Sequence, residues 1–126
     1  MDMGFTTIDV RVLPEKHSAP QGASVPLLVD TGSAITIIPG PVLRGLRVKA
    51  EGKISLKLAD GKKISRDYAD LYLKFRTNGK DERVPARVVF GHSGDTAVLG
   101  VPVLETAGYG VDPISRKLIK VGHLVA

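Results

Sequence analysis

Cysteine is absent from the 126 residues, which excludes a disulfide framework, a thiolate nucleophile and any cysteine-based metal site. Amides are nearly absent too, Gln21 and Asn78 being the only two, and few thermolabile side chains beside many Lys and Arg is a pattern shared with proteins from hot environments. No apolar run approaches the roughly 20 residues that span a bilayer, so no membrane contact is expected. The opening Met1-Asp2-Met3-Gly4 has an acid at its second position and no basic-then-apolar segment behind it. It does not read as a secretory signal, and a cytoplasmic location is the expectation. His17, His92 and His123 lie far apart without metal-ligand spacing, so neither a metal nor another cofactor is expected.

What is present is the balance of a globular protein, 43% hydrophobic and 25% charged, at a length that suits a single domain over residues 1–126. The formal charge is +5, which permits loose attraction to polyanions. The basic residues are nevertheless spread through Lys49, Lys53 and Lys57 and through Lys62, Lys63 and Arg66. Without a cluster around aromatics they read as solvated strand faces, and no nucleic-acid partner is expected.

Hydrophobic alternation predicts a mostly β domain. Ile8, Val10 and Val12 alternate with polar neighbours in a strand over residues 5–13, and a loop with Pro14, Pro20 and Gly22 follows. Two apolar runs, Val25 to Val29 and Ala34 to Ile38, read as buried strands, after which Pro39-Gly40-Pro41 opens a short helical turn through Val42, Leu43 and Leu46. Ile54, Leu56 and Leu58 face Ile64 across Ala59-Asp60-Gly61, a hairpin whose Asp-Gly pair can supply the positive φ angles of a tight turn. A second hairpin is expected at Thr77-Asn78-Gly79, with Val84 to Phe90 as the return strand and Pro85 marking an edge. Val101 to Ala107 predicts a short helix stopped by Gly108, and Tyr109–Asp112 and Leu118–Val121 a final pair of strands about Pro113.

Between the two buried runs stands the polar tetrad Asp30-Thr31-Gly32-Ser33. Burying an ionised carboxylate costs several kcal/mol unless it is paired or hydrogen-bonded, so an aspartate here needs a structural or chemical reason. With its apolar flank, Leu28-Val29-Asp30-Thr31-Gly32-Ser33 resembles the active-site loop of the aspartic peptidases, and in particular of the single-lobe, retropepsin-like group. Three further matches come in the expected order: the hairpin tip Ala59-Asp60-Gly61 where that group has its flap; Ala97-Val98-Leu99-Gly100, similar to its apolar-apolar-Gly element before a helix; and the closing Gly110-Val111-Asp112-Pro113 with Lys117-Leu118, similar to the ending of small archaeal and bacterial members. The likeness runs from about Phe5 to Val121.

The resemblance implies a single-lobe acid-protease fold, a closed β-barrel with one or two short helices, assembled as a two-fold homodimer because a second catalytic lobe does not fit in this length. It implies an aspartic endopeptidase acting on extended or unfolded polypeptide. Hydrolysis without a metal or a nucleophilic side chain needs one group to deprotonate water and another to protonate the amide, and two carboxyls sharing a proton do both. Asp30 is the one candidate per chain, so the pair would be Asp30 from each subunit, titrating jointly. By the same resemblance Thr31 would bond across the two-fold axis and Gly32 would let backbone approach the dyad. Val98, Leu99 and Gly100 would brace the loop. Leu28, Ser33, Leu58, Ala59, Asp60 and Gly61 would contact substrate, with Leu28 and Leu58 as pocket walls, and the flap would bind the peptide as an added strand.

Two positions depart from the retroviral pattern. Ser33 stands where those enzymes commonly carry Ala, and a hydroxyl donating to Asp30 would shift the pair's titration toward acid. The flap tip has one glycine, Gly61, beside the charged Asp60, which reads sooner as a plain turn residue than as a direct substrate contact. His92 and Ser93 have no strained elbow motif around them and read as surface loop rather than as base and nucleophile. Asp112-Pro113 reads as a turn, or as an ending that pairs across a dimer. Two other functions fit the same residues: a dimeric peptide-binding or assembly module with little catalysis, and a basic β domain that binds nucleic acid, which would need a basic-aromatic groove.

Overall fold

The computed structural model describes residues 6–19, 24–30, 33–58, 60–77, 80–100, 102–103, 109–111 and 118–120. Its elements are β1 (Thr6–Leu13), β2 (Val25–Val29), β3 (Thr36–Pro39), α1 (Gly40–Gly45), β4 (Gly52–Lys57), β5 (Lys63–Thr77), β6 (Lys80–Gly91), β7 (Val98–Leu99), β8 (Tyr109–Val111) and β9 (Leu118–Lys120). Pro102 and Val103 are helical, inside the short helix expected at Val101–Ala107. The rest of that helix, its stop at Gly108, the Asn78–Gly79 turn and the Asp112–Pro113 turn lie outside the described residues. No helix among the described residues is long and apolar enough to cross a membrane.

Seven strands join in one sheet in the order β1-β2-β7-β3-β6-β5-β4, and β5 pairs with β1 as well. Antiparallel β1 and β2 meet from Thr6↔Val29 to Val10↔Val25, while the second half of β1 meets β5 from Val10↔Phe75 to Leu13↔Tyr72. The hydrogen-bonded ladder therefore returns to the strand on which it began. Two pairings are parallel, β2 with β7 and β3 with β6, and each joins segments far apart in the chain.

Alternation explains which residues the sheet buries. Val10, Val12, Leu27, Ile38, Leu73, Val88 and Leu99 are almost fully enclosed, and Leu43 reaches the same cluster from α1. Each such side chain contributes about 1.5–3 kcal/mol on burial. The six-residue α1 carries Pro at its start and Arg44 in its last turn, where a cation suits the carbonyl end of a helix.

Pro85 refines an expectation. It lies within β6, opposite Tyr72 of β5, and β6 is an interior strand rather than an edge. The other neighbour, β3, reaches only from Val88 to Gly91, so the proline sits where β6 has a single ladder and its missing N–H removes no bond to β3. The β5–β6 ladder begins at Tyr68↔Val89, whereas β5 pairs with β4 from Lys63 to Tyr68. The β4–β5 hairpin therefore projects past the sheet as a two-stranded arm.

Candidate active site

Asp30 follows the last residue of β2, and two backbone bonds fix the strand that carries it. Leu28 N–H donates to Ala97 O at 3.0 Å and Asp30 N–H donates to Leu99 O at 3.1 Å, in the parallel register Leu28↔Val98 and Val29↔Leu99. On its other side β7 meets β3 at Ile37↔Val98. The two strands flanking the polar tetrad are thus both held by β7, which binds the start and the end of the loop into one unit.

Within the loop, Ser33 N–H donates to Asp30 O at 3.1 Å, closing a turn. The Ser33 hydroxyl donates to Ile35 O at 2.8 Å and accepts from Ile35 N–H at 3.3 Å. A hydroxyl has one proton, and here it is directed at Ile35, which replaces the donation to Asp30 considered from the sequence. The same local bonding explains why β3 begins at Thr36 and not at Ala34: Ser33 takes up backbone groups of Ile35 that a longer strand would use. Thr31 and Gly32 lie outside the described residues.

Thr36, only 2% exposed, accepts a hydrogen bond from Gly100 N–H at 3.0 Å. Gly100 is packed so closely that a Cβ there would lie 2.4 Å from Ile35 O, 2.8 Å from Ile35 C and 3.0 Å from Ser33 O. Glycine is required at this position by the approach of backbone to backbone. Val98 and Leu99 are buried and, with Gly100, pack beneath the Asp30 loop.

A cleft of ≈ 650 Å³ opens beside this assembly. Half-buried Asp30 lines it together with Ser33, Ile37 and Val98, and the hairpin arm contributes Leu56, Leu58 and Ile64. Leu58 is 41% exposed, a large apolar side chain held in solvent at the start of the tip. Apolar side chains flanking the Asp30 carboxyl can hold an extended peptide through its side chains and present its backbone to an acid.

Not every residue singled out from the sequence meets in this cleft. Leu28 is half-buried in β2 and Leu99 and Gly100 are buried; none of them lines it. Asp60 and Gly61 are exposed at the tip and do not line it either, while Ala59 lies outside the described residues. The tip is a tight hairpin turn, as the Asp-Gly pair predicts, with one positive φ angle rather than two. Leu58 N–H donates to Lys62 O at 2.7 Å and Gly61 N–H to Leu58 O at 3.0 Å, so three residues connect the strands, and of the Asp-Gly pair only Gly61, at φ 87°, is left-handed. This is the arrangement in which a glycine bulge closes a three-residue hairpin. The Asp60 carboxylate accepts from Lys62 N–H at 2.9 Å, a turn-stabilising bond.

Two features of the site escaped sequence reading. Thr36 is the one polar residue in Ile35-Thr36-Ile37-Ile38, and that isolation was its signal. Asp95 also lines the cleft and pairs with Arg66 of the hairpin, Nε to Oδ2 at 2.9 Å. The Arg66 guanidinium, joined by a backbone bond from His92, holds the Asp95 carboxyl below the usual carboxylate range against the opposing effect of burial. Among the described residues no three His, Asp or Glu side chains gather as metal ligands.

No protein-family model matches the sequence, and a search of curated proteins finds no match. Solved structures do match. The solution structure of the simian foamy virus (mac) protease superposes with a TM-score of 0.51 at 18% identity, covering 79% of this chain and 91% of that one. The crystal structure of a retropepsin-like aspartic protease from Rickettsia conorii gives a TM-score of 0.51 at 18% identity, covering 88% of this chain and 95% of that one. On these two likenesses the fold of this chain is retropepsin-like.

Proposed function

We propose that this chain is a one-domain aspartic endopeptidase that works as a homodimer, with Asp30 of each copy forming the catalytic pair. The observation that carries this reading is the position of Asp30, tied by its own N–H to Leu99 O and set in a cleft whose opposite side is the apolar hairpin. One chain supplies one such aspartate. Acid and base together need two carboxyls about 3 Å apart, of which one is protonated and one ionised at working pH, and a two-fold partner supplies the second.

The ionised carboxyl takes a proton from water as it attacks the peptide carbonyl, and the protonated one donates toward the amide. Thr31 would join the two loops and Gly32 would keep the backbone close to the pair. The β4–β5 hairpin is the flap, Leu58 and Leu56 touching substrate side chains while the backbone around residues 59–61 bonds the peptide main chain. Substrate is an extended segment of an unfolded protein or a loop. With both copies in place the ladder of strands in each is a closed barrel that presents its loop to the axis.

The test is cleavage of an unfolded protein between pH 3 and 7, with and without a statine-type inhibitor, beside sedimentation of the same samples. Asp30→Asn is expected to lower the rate by at least about 100-fold, the usual scale for losing a general acid–base, with the dimer unchanged. Cleavage that survives Asp30→Asn would refute the assignment. A parent that dimerises and binds the inhibitor without cutting anything would make the chain a peptide-binding module instead.

A further inference from the structure

The loop between β6 and β7 bears an ion pair that the proposed chemistry does not use. Arg66 stands on β5 opposite Ile54, and it grips Asp95 with two bonds, Nε to Oδ2 at 2.9 Å and Nη2 to Oδ1 at 3.2 Å. Two parallel bonds from a planar guanidinium fix direction as well as distance. The Arg66 and Asp95 side chains are only 14% and 22% exposed, against 75% and 39% for Lys53 and Asp67 on the same hairpin.

Asp95 is itself held in place from behind. Its Oδ2 accepts from His92 N–H at 2.8 Å, its own N–H donates to His92 O at 2.9 Å, and Gly94 between them takes φ 91°. The receiving end of the pair is therefore rigid. The donating end is not: from Lys63 to Asp67, β5 has β4 as its only sheet neighbour among the described residues. Arg66–Asp95 is the polar cross-connection between this arm and the wall of the cleft.

We propose that Arg66 and Asp95 are a positioning pair that sets the distance of the flap from Asp30, holding the base of the arm while the tip beyond Leu58 moves. The inference rests on the peptidase reading for its meaning and on geometry for its existence. The charged groups facing Asp95 are Arg66 from β5 and His92 from its own loop, with Asp30 and Lys57 lining the same cleft. Because Asp95 is held below the usual carboxylate range, the connection is intact above that range and is lost only as pH falls through the lowered value. It survives in the mildly acidic conditions that suit a shared-proton pair.

Two variants separate charge from shape. Asp95→Asn keeps an acceptor for His92 N–H and removes the charge; Arg66→Lys keeps the charge and removes the fork. Amide hydrogen exchange and peptide kinetics are measured on both full-length variants. Exchange across residues 52–66 is expected to quicken roughly tenfold by local opening, with β1 and β2 unchanged, and KM for an extended peptide to rise severalfold while kcat stays within about twofold. Unchanged exchange in the hairpin, quickening spread evenly through the sheet, or a fall in kcat at constant KM would each overturn the proposal. If the parent cleaves no peptide, the peptidase reading fails, and hairpin exchange still decides whether the pair holds the arm.

Discussion

Replacing Gly100 with alanine sets two effects of opposite sign against each other. At an ordinary φ the change restricts the unfolded chain and stabilises by about 0.4–1 kcal/mol, and Gly100 is not in the left-handed region. Against this, the new Cβ would meet Ile35 O at 2.4 Å, Ile35 C at 2.8 Å and Ser33 O at 3.0 Å. All three are backbone atoms, which cannot swing aside as a flexible side chain would. Relieving the overlap means moving β7 from the Asp30 loop, and forced insertions of this kind cost about 1–3 kcal/mol. The movement also stretches the 3.0 Å bond from Gly100 N–H to buried Thr36, at about 1–3 kcal/mol for a buried group left unsatisfied. The steric side wins, for a net loss of about 1–5 kcal/mol. Urea unfolding with an unchanged m-value measures it. Gly45→Ala is the matched control: nothing lies within 4 Å of its added Cβ, and a gain of up to about 1 kcal/mol is expected. A Gly100→Ala chain as stable as the parent would refute the reasoning, and with it the view that β7 fixes the Asp30 loop by contact.

Three other outcomes are expected. Ser33→Ala loses the bonds to Ile35 and costs about 1 kcal/mol in urea unfolding, with the acidic limb of the pH–rate profile in place; a displaced limb would return the hydroxyl to Asp30. Leu58→Ala, at a site 41% exposed, changes stability by no more than about 0.5 kcal/mol while raising KM, and an unaltered KM would remove Leu58 from the substrate cleft. Asp95, Asp70 and Asp67 are held below their ordinary range by Arg66, Arg87 and Lys53 respectively. Their contribution is complete above about pH 5 and is lost progressively as pH falls further, so urea midpoints should stay flat from neutrality to that point. A decline beginning near pH 6 would contradict this.

What could be read from the sequence was whatever depends on neighbours in the chain. Alternation at Ile54, Leu56 and Ile64 located β4 and β5, and Asp60-Gly61 located their turn, because strand period and glycine φ are local properties. Of the positive φ angles expected at Asp60-Gly61 only that of Gly61 is present, since one left-handed residue and a bulge serve a hairpin as well as two. The end of β2 at Val29 was legible from the break at Asp30. The start of β3 was not, because a hydroxyl bond from Ser33 overrode the apolar run. The parallel pairings of β2 with β7 and β3 with β6 have no local signature at all, nor has the meeting of β1 with β5. Arg66 and Asp95 are 29 positions apart and become partners only after the sheet has brought the hairpin over its loop.

The parallel register of Leu28 with Val98 has a consequence for biosynthesis. The strand that orients the acidic segment is made seventy positions after it. At about 5–20 residues per second, several seconds of translation separate the two. A nascent chain cannot hold the Asp30 loop in its final orientation during that interval, because the backbone carbonyl that receives the Asp30 N–H has not yet been made.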